Sequence, residues 1–517
     1  MLAAVRSAAL IGIEAYAVTV EVDAAAGLPQ WTIVGLPSGG LKESRERVAA
    51  AIVNSGFTVP PRRITVNLAP ADIRKDGTAF DLPIALGILI ATGQLDAERA
   101  ANAVFVGELG LDGSLRGIRG ALPLARHVLK IAAGTFVLPA ENVAEASRVS
   151  ALALSAPRTF RALIDQLRRG ALSRAEVAPS AMMSATQGDD FSDVAGQESA
   201  KRALEVAAAG GHNVLLIGPP GAGKTMLARR LPTILPSLSE EEALEVIAIH
   251  SVAGVLDAGG VDAARRPFRA PHHTISGAGL IGGGSSPRPG EVSLAHNGVL
   301  FLDEMLEFPR SVLDGLRQPM EDGRVVIARA TQAVSFPARF TLVGASNPCP
   351  CGQAGTAKGC NCAPGDVQRY VSRISGPLSD RIDMHVRVGS VALSDLAAKR
   401  GGRTSADIRA GVEEARSRQR KRFSSTPSVS CNAHASGRWL DAHGNLASEA
   451  RELLNSAAET LALTARGYHR VIKVARTIAD LDQSRDIRAS HVAEAIRYRS
   501  VAARVEVPRN GAVASGA

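Results

Sequence analysis

Aromatic residues make up only 3% of the 517 positions, too few to supply a stacking platform for single-stranded nucleic acid as the main binding surface. Long apolar runs are missing as well. The longest, Leu82 to Ala91, contains Pro83 and falls far short of the ~20 residues that span a bilayer, and Glu14 interrupts the apolar start where a signal segment would need continuity. The expectation is a soluble, cytoplasmic protein with no membrane partner. Cysteine is scarce: of five, four lie between Cys349 and Cys362, which points to a metal site in a reducing compartment rather than a disulfide frame. Acidic residues are outnumbered, 50 Asp and Glu against 59 Lys and Arg, for a formal net charge of +9. That excess suits an anionic partner, and equally a basic protein that binds none. The length and the 46% hydrophobic content allow roughly two to four domains with real cores.

What is present is arranged around His212–Arg230. Val214–Ile217 is a short apolar run, Gly218-Pro219-Pro220-Gly221-Ala222-Gly223-Lys224-Thr225-Met226 is a glycine-rich turn, and the residues to Leu231 favour a helix. That is the strand–loop–helix setting of a P-loop, and these nine turn residues are the expected ATP contacts. Gly218 and Gly223 let backbone N–H groups face phosphate, Lys224 reaches the β- and γ-phosphates, and Thr225 offers its hydroxyl to Mg²⁺. Chance would give the four fixed positions in roughly 3 chains in 100 of this length, and the flanking strand and helix lower that further. A second apolar strand, Asn297 to Leu302, ends in Asp303 and Glu304. Asp303 would hold the metal, usually through water, and Glu304 would polarise the attacking water. An acidic turn after a strand is common by itself; beside a P-loop it reads as the other half of a nucleotide site, because both strands should end on one sheet edge.

Two C-x-C pairs, Cys349/Cys351 and Cys360/Cys362, can bring four thiolates to one tetrahedral ion, with zinc the natural occupant; unpaired thiols are the alternative. The isolated Cys431 reads as a buried thiol. Between the two nucleotide motifs, Ile249–Ser293 is rich in Gly, Pro and Arg, as mobile loops are. Arg269, His272, His273 and Arg288 are its candidate phosphate contacts. Metal at the paired histidines is the lesser reading, since no carboxylate or thiolate neighbours them in sequence. Arg324–Phe336 suggests a hairpin with the same potential. The basic run Arg416–Arg422 divides evenly between a solvated helix face and a phosphate contact.

Residues 1–170 alternate strand-like runs (Tyr16–Val22, Trp31–Val34, Ile64–Asn67, Ala103–Val106, Thr135–Leu138) with helical ones (Leu41–Ser55, Leu82–Thr92, Leu122–Ile131), an α/β or α+β domain of its own. Gly27-Leu-Pro, Ile33 to Pro37, Glu43 to Val48, Lys75 to Asp81, Gly107 to Arg116 and Leu138 to Asn142, together with the motifs above, resemble the ComM/YifB family of AAA+ ATPases, often labelled magnesium chelatase-like. The resemblance covers essentially the whole chain. It implies an α/β fold: an AAA+ three-layer P-loop core at 191–390, with a helix-2 insert and the Cys₄ loop, and a helical lid at 391–505. A Lon-protease-like (ribosomal S5 domain 2-like) α+β domain at 1–170 and a linker at 171–190 would precede the core, and a tail at 506–517 would follow the lid. Matched to Lon, Ala79 stands where the nucleophilic serine would be and Leu122 near its lysine base, so no proteolysis is expected. By the same resemblance Asn347 is sensor 1, Arg381 an arginine finger acting across subunits, and Arg466 sensor 2, with Arg470 the runner-up. The implied protein is a hexameric ring ATPase using ATP, Mg²⁺ and Zn²⁺ on branched or forked DNA, as in branch migration of transforming DNA. The alternatives are a magnesium chelatase motor, whose ATPase subunit is expected to lack the N-terminal domain, and a non-translocating assembly factor.

Overall fold

The computed structural model of the chain describes residues 2–36, 39–73, 75, 77–176, 189–256, 265–284, 287–329, 332–356, 358–391, 402–426 and 429–503. Most of the expected linker, the insert at 257–264 and 285–286, the lid entry at 392–401 and the tail lie outside these residues, as do Pro37 and Asp76 of the quoted motifs.

Alternating apolar positions build the N-terminal sheet. Strands β1 (Leu2–Ile11) and β2 (Glu14–Ala25) pair antiparallel from Leu2 opposite Asp23 to Ile11 opposite Glu14, turning at Gly12, whose φ is +62°. β3 (Gln30–Val34) forms the edge and β4 (Arg63–Ala69) lies between it and β2. With a side-chain period of two, Val5, Val20, Val22, Ile64, Val66 and Leu68 all fall on the buried side. Helix α1 (Gly39–Asn54) packs on α2 (Asp81–Ala91), which is buried along its whole length. Gly87 of α2 comes so close to β2 that a Cβ there would sit 2.5 Å from Val22 Cγ2. The buried Asp81 is held by Arg47 of α1 at 2.7 Å. A second, parallel sheet of β5 (Ala103–Phe105), β6 (Thr135–Val137) and β7 (Ala153–Ser155) follows, with α3 (Ala121–Lys130) in the core beside it and α4 (Phe160–Arg169) in the first sheet's core. The sequence reading missed β1, having treated its apolar stretch only as an interrupted signal segment.

The second body is a parallel sheet. β8 (Val214–Ile217), β9 (Phe268–Arg269), β10 (Val299–Leu302), β13 (Thr341–Ser346) and β14 (Met384–Arg387) stand in the order β9-β10-β13-β8-β14. A hairpin, β11 (Arg324–Arg329) with β12 (Gln332–Pro337), precedes β13. β8 and β10 read as unbroken apolar runs because both faces of the sheet are covered. Leu216, Phe301 and Val343 join one core with α5 (Glu198–Gly210) and α6 (Lys224–Ile234), while Leu215, Leu300 and Leu342 join another with Leu280 and Leu313. The C-terminal helices α8 (Ser405–Arg422), α9 (Ser448–Thr460), α10 (Ala465–Leu481) and α11 (Ala489–Ala503) share the first core.

That shared core is fastened by buried charge. Asp480, fully buried, accepts from Arg422 and from Asn432 Nδ2 at 2.8 Å and pairs with Arg476 at 3.1 Å. The basic run is therefore not a bare cationic face. Arg422 answers Asp480, Arg418 reaches the Asp480 carbonyl at 3.0 Å, and Arg416 caps the Ala208 carbonyl at 3.0 Å; Arg420 and Lys421 are exposed. A buried carboxylate without such partners would be costly, and that need turns the guanidinia inward.

The two bodies meet at α7 (Glu240–Ala253), whose Ile247 and Ala248 pack with Leu122, Leu124 and Val128 of α3. The Gly120 N–H donates to Ser251 Oγ at 2.8 Å.

His385 in β14 is 4% exposed. Burial, then Arg499 and Arg470, push its pKa down from 6.5 to about 4. The unfolded chain thus takes up this proton first as pH falls. Stability should be full above about pH 6.5 and decline toward pH 4, by on the order of 3 kcal/mol for this residue. Urea unfolding across that range checks it: in His385→Leu the acid-side slope should flatten, and identical slopes in the two proteins would refute it.

Candidate active site

Three strands of the parallel sheet end side by side. The Gly218 N–H donates to the Ser346 carbonyl at 3.1 Å, joining the ends of β8 and β13. A Cβ on Gly218 would lie 2.1 Å from the Val388 carbonyl oxygen, so only glycine fits there. Gly221 and Gly223 have φ of +78° and +87°, and a Cβ on either would meet nothing within 4 Å. The loop therefore leaves room over its backbone at the N-terminus of the eleven-residue α6, where amide groups and the helix dipole favour phosphate.

Side chains close this pocket from the neighbouring strands. Lys224 Nζ donates to the carbonyls of Gly218 and Pro219 at 2.7 and 2.9 Å and to Asn347 Oδ1 at 3.1 Å. Burial lowers its pKa, while Asp303 and Glu304 act the other way. Thr225 Oγ1 donates to Asp303 Oδ2 at 2.8 Å. Glu304 has φ +49°, a left-handed backbone unusual for a non-glycine residue. Its side chain is 59% exposed. Lys224, Thr225, Asp303 and Asn347 are thus in direct contact, and the donor set suits a nucleoside triphosphate with Mg²⁺ held by Thr225 and Asp303.

The arginines assigned by resemblance sit elsewhere in the chain. Arg381 pairs with Glu321 and donates to the Pro377 carbonyl at 2.8 Å. Arg466 is exposed in the first turn of α10, which Thr464 caps. Arg470, one turn on, donates to the Ile382 carbonyl at 3.4 Å and faces Asp383 at 3.4 Å. Arg470 feels the charge of both Arg381 and Arg466, so the three form one neighbourhood.

Three readings of the insert need correction. Ile249–Ala253 is the end of α7, and Phe268–Arg269 is a strand of the central sheet, with Phe268 stacked on Phe301 at 5.9 Å. Arg269 is no free phosphate ligand, because Glu291 holds it through two bonds of 2.6 and 2.7 Å. His272 and His273 do have a carboxylate near them: His273 Nδ1 lies 3.8 Å from Glu304 Oε2. Arg288 is exposed, on a two-residue strand paired with Gly282–Gly283.

The four clustered cysteines converge. Their sulfurs all lie within 4.8 Å of one another, with Cys349–Cys351 at 3.4 Å, Cys349–Cys360 at 3.5 Å and Cys351–Cys360 at 3.6 Å. A tetrahedral Zn²⁺ with ~2.3 Å bonds needs S···S separations of about 3.8 Å, so the set fits a metal. The Ala354 N–H donates to Cys349 Sγ at 3.3 Å. The loop begins two residues after Asn347 and, as that position in the sequence implies, lies beside the nucleotide loop: a Cβ on Gly352, whose φ is +75°, would sit 2.7 Å from Pro220 Cδ of the P-loop and 3.8 Å from Asn347 Cγ. Cys431 is buried, its Sγ 3.4 Å from His434 Nδ1. Burial would raise its pKa, but His434 and Arg416 outweigh that and hold it well below the usual thiol range.

Comparison with known proteins decides the family. Competence protein ComM of Haemophilus influenzae is 42% identical over 506 residues, covering 97% of this chain and 98% of its own. The chain belongs to the ComM/YifB family. The uncharacterised protein YifB of Escherichia coli is likewise 42% identical, over 507 residues and 97% of each chain. Lon protease 2 of Bacillus subtilis is 30% identical over 183 residues, 31% of this chain and 33% of that protein. Family profiles match along the chain: "Magnesium chelatase, subunit ChlI" at 190–396, "Subunit ChlI of Mg-chelatase" at 20–142 and "Magnesium chelatase, subunit ChlI C-terminal" at 402–499. This is a magnesium chelatase-like, AAA+-type ATPase family. Among the described residues no helix is long and apolar enough to cross a membrane.

Gly352→Ala should push the Cys loop against Pro220 and so weaken nucleotide binding while leaving the fold. A fluorescent ATP analogue should show a loss of roughly tenfold or less, about 1 kcal/mol, consistent with local displacement. Unchanged affinity would mean the loop and the P-loop move independently.

Proposed function

We propose that the chain is the ATP-hydrolysing subunit of a ring that remodels branched or forked DNA, in the manner implied for ComM. The observation that carries the hydrolytic part is the contact set of Lys224, Thr225, Asp303 and Asn347 at adjoining strand ends, with Glu304 beside them. Lys224 and the loop amides bind the β- and γ-phosphates. Thr225 and Asp303 would hold Mg²⁺, which would supply charge stabilisation to the phosphate oxygens. Glu304 takes the proton of the attacking water, and Asn347 orients that water. Arg381 exchanges Glu321 for a neighbouring subunit's nucleotide, and Arg466 senses nucleotide from the C-terminal helices. The N-terminal body serves assembly or partner binding rather than proteolysis.

The DNA part is supported by the likeness to ComM, a competence protein, and by the net charge of +9. With Arg269, Arg416, Arg418 and Arg422 engaged internally, Arg288, Arg420 and Lys421 are the better phosphate candidates. A porphyrin-metalating motor is the second reading, favoured by the chelatase profiles.

Lys224→Ala and Glu304→Gln should each lower ATP turnover by orders of magnitude, with Glu304→Gln still binding nucleotide. Steady-state assays decide it, and wild-type turnover in Glu304→Gln would refute the role of that carboxylate.

DNA should stimulate turnover, and with 6–10 phosphate contacts binding should weaken about a thousandfold or more between roughly 50 and 200 mM salt. Stimulation by porphyrin but not by forked DNA would favour the chelatase reading.

Cys349, Cys351, Cys360 and Cys362 hold one structural Zn²⁺. Elemental analysis of reduced, chelator-free protein should find about one zinc per chain. Substantially less would make these ordinary thiols.

A further inference from the structure

The paired histidines after β9 meet the catalytic edge at one point. His273 Nδ1 faces Glu304 Oε2 at 3.8 Å, and among the described residues it is the only basic side chain within ion-pair reach of that carboxylate. The imidazole is itself confined. His272 lies against it with ring centres 4.1 Å apart and ring planes tilted by 34°, and the buried Phe308 meets it edge-on at 6.4 Å. His272 is fixed in turn by Thr274 Oγ1 at 2.9 Å from its Nδ1. Glu304, by contrast, stands on a left-handed backbone with its side chain largely in solvent. A carboxylate so placed has freedom to point away from a water that it must deprotonate, and misdirection of about 1 Å can cost a hundredfold in rate.

We propose that His273 is the positioning residue for Glu304. Its ring fixes the direction of the carboxylate, and its place on the segment leading into Gly277–Ile281 ties that direction to the state of the insert. The separation of 3.8 Å in this structure is longer than a hydrogen bond, as expected of a catalytic contact that tightens only with substrate in place. Lys224, Thr225 and Asp303 make the binding contacts, so the effect of His273 falls on turnover and not on affinity.

This inference rests on the proposed role of Glu304. The test compares full-length wild type, His273→Phe, His273→Gln and Glu304→Gln, measuring ATP turnover and the affinity for a fluorescent ATP analogue. His273→Phe keeps a ring between His272 and Phe308 but removes the polar edge. It should lose roughly ten- to hundredfold in kcat, with affinity held within about twofold. His273→Gln, which restores a donor, should recover part of the loss. A kcat for His273→Phe within about twofold of wild type, or equal losses of affinity and kcat in both variants, would overturn the proposal. Hydrolysis at wild-type rate by Glu304→Gln would mean that the reading of Glu304 itself has failed. An inactive Glu304→Gln beside a normal His273→Phe would remove this inference alone.

Discussion

Two bonds from the first turn of α6 to strand ends hold the candidate site in being: Thr225 to Asp303 and Lys224 to Asn347. Each joins the residue that opens α6 to the end of a different strand, so the geometry exists only if three strands stop at the same level. The parallel register provides that. Ile217 pairs with Ser346 and Leu302 with Gly344, putting the last residues of β8 and β10 against β13. Such register is strongly specified when both faces of a sheet are buried, because a slip by one residue would exchange the two cores.

Around this edge the chain uses charge as fastening where apolar contact alone would be indifferent to orientation. Asp383 accepts from the Asn213 N–H at 3.0 Å and faces Arg470 of α10, while His212 Nε2 meets Thr477 Oγ1 of the same helix at 2.7 Å. The residues immediately before the P-loop strand are thereby tied to the C-terminal helices. A buried polar network of this kind tolerates few alternative packings.

Sequence reading reached the elements whose signals are local. The P-loop and the Asp303-Glu304 strand end carry their chemistry in consecutive residues, and the amphipathic α10 is announced by its periodicity and Thr464 cap. The C-x-C pairs advertise convergence through spacing alone. What escaped is non-local. Nothing in Arg416–Arg422 says that Asp480, far along the chain, will claim Arg422, and nothing beside Arg269 warns of Glu291. The same holds for His273 against Glu304, where side chains distant in sequence meet only after the sheet has formed. β1 escaped for another reason: an alanine-rich strand has weak propensity, and its pairing with β2 supplies the order.

The grip of the N-terminal body on α7 has a mechanical meaning. Gly120 fastens to Ser251 near the C-terminal end of that helix, and Ile247 and Ala248 lie in the core of α3. The helix continues toward the insert, so the insert departs from a footing that the N-terminal body braces. Any displacement of α7 must therefore be shared by α3, or it breaks the Gly120–Ser251 bond and opens their common apolar core.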